Sequence, residues 1–172
     1  VLKNYGPVVG GLWTVKLAAS SAYDYAVTLD SLTAESKIVI EGPDVGGHPN
    51  VPVVVVGPSA STAASGWRFT GCNVNIRNVK FINFRSSASA FGLAVTEKGI
   101  LETDNVHVNN DTTGTTRGGL GIVANALCVL KVRGGIIERC AEGIRSLFDC
   151  YHSIGTQNAG NLLSGPVIRN NT

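Results

Sequence analysis

Charge is scarce in this sequence, and so are aromatic rings. Charged residues make up 15% of the 172 positions, against about 25% in an ordinary globular protein. Aromatics account for 6%, too few for a long stacking platform. The net charge is +2, with no basic stripe interleaved with rings, so the chain carries no footprint of a nucleic-acid partner. No uninterrupted apolar run approaches the roughly 18–20 residues of a membrane span, and no membrane insertion is expected. Methionine is absent, and Val1 already stands inside a strand-like pattern; the chain is therefore expected to be an internal or processed fragment of something longer. Its four cysteines (Cys72, Cys128, Cys140 and Cys150) have no C-x-x-C spacing, which removes the zinc-ribbon and thioredoxin patterns. Their apolar strand contexts favour buried free thiols, while the even count would permit two disulfides. His48, His107 and His152 are far apart in sequence, so neither a metal site nor a cofactor is expected.

The chain is rich instead in glycine, at 21 residues, and in apolar residues, at 44%. With Val, Ile, Thr and Asn prominent, that mix suits short, tightly turned strands rather than helices. It also argues against disorder.

A repeat is the strongest signal. Four segments share a turn-forming residue followed by a β-branched anchor: Asn78-Val79, Asn105-Val106, Gly135-Ile136 and Pro166-Val167. The anchors recur 27, 30 and 31 residues apart. Four positions past each anchor stand Asn83, Asn110, Cys140 and Asn171. Side chains two apart on a strand face the same way, so these four are expected to stack as a structural ladder. Asn tolerates the left-handed conformation there and can bond to the rung above. A second register agrees: Gly92, Gly121 and Gly143 each open an apolar strand, and seven positions later come Gly99, Cys128 and Cys150.

Recurrence at 27–31 residues, without Asn-Gly or Asp-Gly hairpin signals, favours a coil over a sandwich or meander. The expected fold is all-β: a right-handed, single-stranded parallel β-helix of roughly six coils forming a single domain. Residues 61–172 carry the clear coils, and 1–60 are less regular, as first coils or an N-terminal cap. Pro52 argues against a paired amide at its own position in that first part.

Three stretches carry a family likeness. They are Ile40-Glu41-Gly42, the run Val53 to Val56 closed by Gly57, and Val74-Asn75-Ile76-Arg77-Asn78-Val79-Lys80-Phe81-Ile82-Asn83-Phe84. In these the chain resembles the pectate-lyase-like superfamily, over roughly residues 35–171. The resemblance implies the coil but no single activity, because the same coil serves lyases, hydrolases, phage tailspikes and adhesins. The fragment-like ends and sparse charge are most similar to a segment of a phage tail fibre or tailspike. That likeness implies a virion or extracellular setting, a homotrimer, and recognition of cell-surface polysaccharide. The aspartates and arginine with which pectate lyases hold calcium and abstract a proton have no counterpart here.

Candidate sites are few. Glu102 and Asp104 are alternate residues of one strand, about 6–7 Å apart on the same face, and His107 follows closely. A carboxylate pair at such a distance can flank a glycosidic bond; more commonly it is a pair of solvated surface acids. Trp67 and Tyr151 are the rings within the repeat that are able to stack on a sugar, Trp67 with a core or capping role as its commoner fate. A column of Lys80, His107, Ile137 and Ile168 is expected to face outward. Its apolar half, Ile137 and Ile168, would offer a subunit contact. Three functions are therefore entertained: a fibre or spike segment, a polysaccharide-degrading hydrolase or lyase, and a bacterial surface adhesin.

Overall fold

A computed structural model describes residues 11–23, 26–30, 36–44, 51–57, 65–84, 90–110, 119–155 and 167–169, with backbone alone at 20–22 and 167–169. Every regular element among them is a strand. In chain order the first three coils are β1 (Leu12–Lys16), β2 (Ser20–Tyr23) and β3 (Thr28–Asp30); β4 (Lys37–Glu41), β5 (Val53–Val56) and β6 (Trp67–Thr70); and β7 (Asn73–Arg77), β8 (Lys80–Ile82) and β9 (Phe91–Thr96). The next two are β10 (Ile100–Asp104), β11 (His107–Asn109) and β12 (Leu120–Asn125), then β13 (Val129–Arg133), β14 (Ile136–Glu138) and β15 (Glu142–Leu147). A last partial coil adds β16 (Tyr151–Ile154) and β17 (Val167–Arg169).

Each strand pairs in parallel with the strand three places along, giving three sheets. Sheet A runs β1-β4-β7-β10-β13-β16, sheet B β2-β5-β8-β11-β14-β17 and sheet C β3-β6-β9-β12-β15. This is a parallel β-helix. Connections between parallel strands of one sheet are right-handed in nearly all proteins, which is the sense expected of this coil. The described strands of the first sixty residues already follow the A, B, C order, since β1 pairs β4 and β2 pairs β5. Pro52 stands just before β5, where its missing amide costs no ladder bond.

Alternate residues of all three sheets point inward and fill the tube. Phe69, Phe81, Phe84, Leu93, Leu101, Ile122 and Leu130 are among the fully buried side chains. Sheet C closes on sheet B only because Gly92, Gly121 and Gly143 line one column. A Cβ on Gly121 would sit 2.3 Å from the Gly143 carbonyl oxygen and 2.9 Å from the Ile137 side chain. This glycine register is the one read from the sequence.

The corners explain the turn residues. Between sheets A and B the chain turns at Asn78 and Asn105, both at φ 53°. The Asn105 amide donates to Asn78 Oδ1 at 2.8 Å, and the Asn78 amide donates to the Gly42 carbonyl at 3.4 Å. A side-chain ladder therefore runs at this corner, one corner earlier than the sequence suggested. One coil on, Gly134 takes the same place with φ 57°.

Two expectations are corrected by the register. His107 pairs with Ile136, and Val108 pairs with Ile137. Val106 is thus matched by Gly135, not by Ile136. No side chain fits there, because Gly135 has φ 87° and its Cβ would lie 2.0 Å from the Val106 carbonyl oxygen. Ile137 therefore points inward with Phe81 and Val108 and is 1% exposed, so it offers no subunit contact. Ile168 pairs with Ile137 in backbone register, and its side chain lies outside the described residues. The same one-residue slip removes Cys140 from the proposed ladder: Asn83 aligns with Asn110, and Arg139 stands next in that column. Asn83 and Arg139 do take the left-handed conformation, at φ 63° and 56°. Asn110 is fully buried, its amide donating to the Leu120 carbonyl at 2.8 Å. Cys140 is buried one residue past that column, its thiol bonded to the Glu138 carbonyl and pushed by burial up to about 12. Asn171 lies outside the described residues.

Replacing Asn105 with Ala should remove an inter-coil bond and leave a Cβ-bearing residue in the left-handed region without compensation. Denaturant unfolding is expected to show a loss of about 1–2 kcal/mol. Asn105→Gly, which keeps the backbone conformation, should lose less.

Candidate functional site

The outer face of sheet A gathers most of the candidate residues. Stacking in register produces columns of side chains at the strand spacing of about 4.8 Å. One column runs Val39, Asn75, Glu102, Lys131 and Ser153, and the next runs Lys16, Glu41, Arg77, Asp104 and Arg133. The second alternates in charge at every step. A third column ends at Tyr151, paired with Val129 and, below it, Ile100.

Glu102 is the centre of this face. Lys37 donates to one carboxylate oxygen at 2.9 Å, Lys131 donates to the other at 3.0 Å, and the Asn75 amide reaches the first at 3.2 Å. The lysines come from β4 and β13, two coils below and one coil above β10, and their stems help to shelter the carboxylate. Burial by itself would raise the Glu102 carboxyl. The hydrogen bonds and charges of Lys37 and Lys131 outweigh it and hold the group at about 2, below its ordinary 4.5. Glu102 is therefore ionised and engaged throughout the physiological range. Asp104, on the same strand face, is exposed.

His107 does not join them. The turn at Asn105 separates β10 from β11, so His107 belongs to the outer face of sheet B. There its Nε2 lies 3.1 Å from Glu138 Oε1, which also accepts a bond from the Asn109 amide at 3.0 Å. Both His107 and Glu138 are buried. The sequence named the histidine but missed its glutamate, which only the β11–β14 register brings beside it.

Of the two rings proposed for sugar binding, Trp67 is a core residue, 4% exposed and packed edge-on against Phe81 with centroids 5.2 Å apart. It faces the inside of the tube because it alternates with the exposed Arg68. Tyr151 is 64% exposed and stands at the rim of the sheet A face. Lys37, Asn75 and Lys131 were not anticipated; only the stacking of coils brings them, from 65, 27 and 29 residues away, around Glu102.

Among the described residues, no group of three or more His, Cys, Asp and Glu side chains could hold a metal ion. No helix there is long and apolar enough to cross a membrane. Comparison of the chain with protein-family models, with curated proteins and with solved structures finds no match.

The sign of the pH effect follows from the lowered Glu102 carboxyl. Its contribution to stability is complete above the unfolded value near 4.5 and is lost as pH falls towards 2. Glu102→Gln, which leaves Lys37 and Lys131 facing each other without a counter-charge, should cost about 1–3 kcal/mol at pH 7. In urea titrations the variant is expected to lose less stability than the parent chain between pH 5 and pH 3.

Proposed function

We propose that this chain is a non-catalytic β-helical segment of a phage tail fibre or tailspike, a virion structural protein. In this reading it is a homotrimer whose sheet A face meets host cell-surface polysaccharide. The likeness to pectate-lyase-like coils in the strand–Gly steps and in residues 74–84 suggests the class. From that class to a fibre the inference is one of fold.

The observation that carries the non-catalytic part is the state of Glu102. Glycoside hydrolysis needs one carboxyl kept protonated as an acid beside a second that is ionised. Glu102 is clamped in its charged form between two lysines, which rules it out as the general acid. Both of its oxygens are already engaged by Lys37, Asn75 and Lys131, which leaves neither free to act as nucleophile or base. Of the two acids read as a solvated surface pair, only Asp104 is exposed; Glu102 is buried within an ion-pair network, and that structural role accounts for it better than catalysis does.

What suits polysaccharide is the rest of the face. It presents Lys131, Asp104 and Arg133 in register over two coils, around the buried Asn75–Glu102 pair, edged by the exposed ring of Tyr151. Trimerisation is supported by the exposed apolar side chains of Leu147, Phe148 and Ile154, since exposed large apolar groups mark interaction surfaces.

Light scattering behind a sizing column should give three times the 17.9 kDa chain mass. Immobilised bacterial surface polysaccharides should bind it without release of reducing or unsaturated ends. Tyr151→Ala is expected to weaken that binding about tenfold, or 1.4 kcal/mol. A monomer at all concentrations would instead favour the adhesin. Polysaccharide cleavage abolished by Glu102→Gln would restore the enzyme reading.

A further inference from the structure

The corner between sheets C and A is built alike in three successive coils. Glu97-Lys98, Ala126-Leu127 and Phe148-Asp149 all have positive φ, between 55° and 64°. Each pair is followed by one residue before the sheet A strand: Gly99, Cys128 and Cys150. Backbone bonds stack them directly, with the Val129 amide donating to the Gly99 carbonyl and the Tyr151 amide donating to the Cys128 carbonyl, both at 2.9 Å. One coil below Gly99, the Ile100 amide donates to the Cys72 carbonyl at 2.7 Å. A single column therefore reads Cys72, Gly99, Cys128, Cys150, and in it only Cys128 and Cys150 are immediate neighbours.

We infer that Cys128 and Cys150 form a thiol–disulfide site, in which a small disulfide oxidant links the last coil to the one below. In-register neighbours stand about 4.8 Å apart, inside the Cα separation of 4.4–6.8 Å that a disulfide accepts. The Cys150 sulfur already leans towards the lower coil, accepting the Cys128 amide at 3.4 Å. In the reduced protein the Cys128 thiol donates to the Asn125 carbonyl at 2.9 Å and lies 3.6 Å from that of Ala126. The Cys150 thiol donates to the Leu147 carbonyl at 3.0 Å and lies 3.9 Å from that of Phe148. These bonds within each turn are what a change of rotamer would exchange for the link.

Exposure sets the order of events. Cys150 is partly exposed and Cys128 is 1% exposed. The Cys150 thiolate attacks one sulfur of oxidised glutathione, forming a mixed disulfide and releasing one glutathione thiolate. Cys128 then gives its proton to solvent and attacks the Cys150 sulfur, and the second glutathione thiolate leaves. The protein loses two electrons and the small disulfide gains them. Burial, with the neighbouring Cys150, raises the Cys128 thiol above its ordinary value, so the closing step should quicken as pH rises. Cys72 is separated from Cys128 by the Gly99 coil, and Cys140 belongs to another corner, so both stay reduced.

This inference does not depend on the fibre reading, since it uses only the register of β12, β13, β15 and β16. The test is to incubate the native protein with oxidised glutathione and follow free thiols, intact mass and the peptide map. Free thiols are expected to fall from four to two, with loss of the mass of two hydrogen atoms and a Cys128–Cys150 linked peptide. Amides of β16 should exchange more slowly in the oxidised protein. Cys128→Ser should stop at a stable glutathione adduct on Cys150, and Cys150→Ser should leave Cys128 unreacted. Four unreacted thiols, a persistent adduct on the parent protein, or a link to Cys72 or Cys140 would each overturn the assignment.

Discussion

Backbone hydrogen bonds between successive coils hold this molecule together, and they run along the coil rather than across a hairpin. Such bonds form only where one coil repeats the path of the coil beneath it, corner for corner. That requirement explains why ten of the described residues other than glycine adopt positive φ, among them Ala126, Leu127 and Phe148, which are poor choices for that conformation. A side chain there costs about 1–2 kcal/mol. It is tolerated because the turn is fixed from both neighbours: the Leu127 amide bonds to the Phe148 carbonyl at 2.9 Å, and the Lys98 amide bonds to the Ala126 carbonyl at 2.9 Å.

Register also makes the surface. A column of side chains in a β-helix is fixed in composition by positions about one coil apart, so like charges must alternate or be diluted to avoid repulsion. The column from Lys16 to Arg133 alternates, and Glu102 is set where lysines from β4 and β13 converge on it. The price of sheltering that carboxylate is met by two cations and an amide, which leaves it ionised. The polar face of sheet A is thus a consequence of stacking.

The coil itself was legible because its period shows wherever the same corner recurs: the glycines at 92, 121 and 143 and the small residues at 99, 128 and 150 were aligned correctly from spacing alone. The slip came at Gly134-Gly135. An apolar anchor was sought there, but the position demands a residue free of Cβ, so the next isoleucine was taken instead and Ile137 was turned inside out. A period-2 pattern has no tolerance for such a slip, since one residue exchanges core and surface. The stacking of Asn83 on Asn110 was aligned correctly and that of Cys140 was not; the asparagine side chains that bond from coil to coil are Asn78 and Asn105, which were read only as turn residues. The surroundings of Glu102 and His107 were not legible, because Lys37, Lys131 and Glu138 become neighbours through register alone. Trp67 and Tyr151 looked equivalent as rings. Only their places within β6 and at the start of β16 put one in the core and the other in solvent.

The central claim, that coils stack in the stated register, can be read directly from through-hydrogen-bond scalar couplings in isotope-labelled protein. The account predicts cross-peaks from the amides of His107, Val129, Ile136 and Tyr151 to the carbonyl carbons of Val79, Gly99, Val106 and Cys128 respectively. Couplings that instead join adjacent strands of the chain in antiparallel order, or that pair Ile137 with His107, would contradict it.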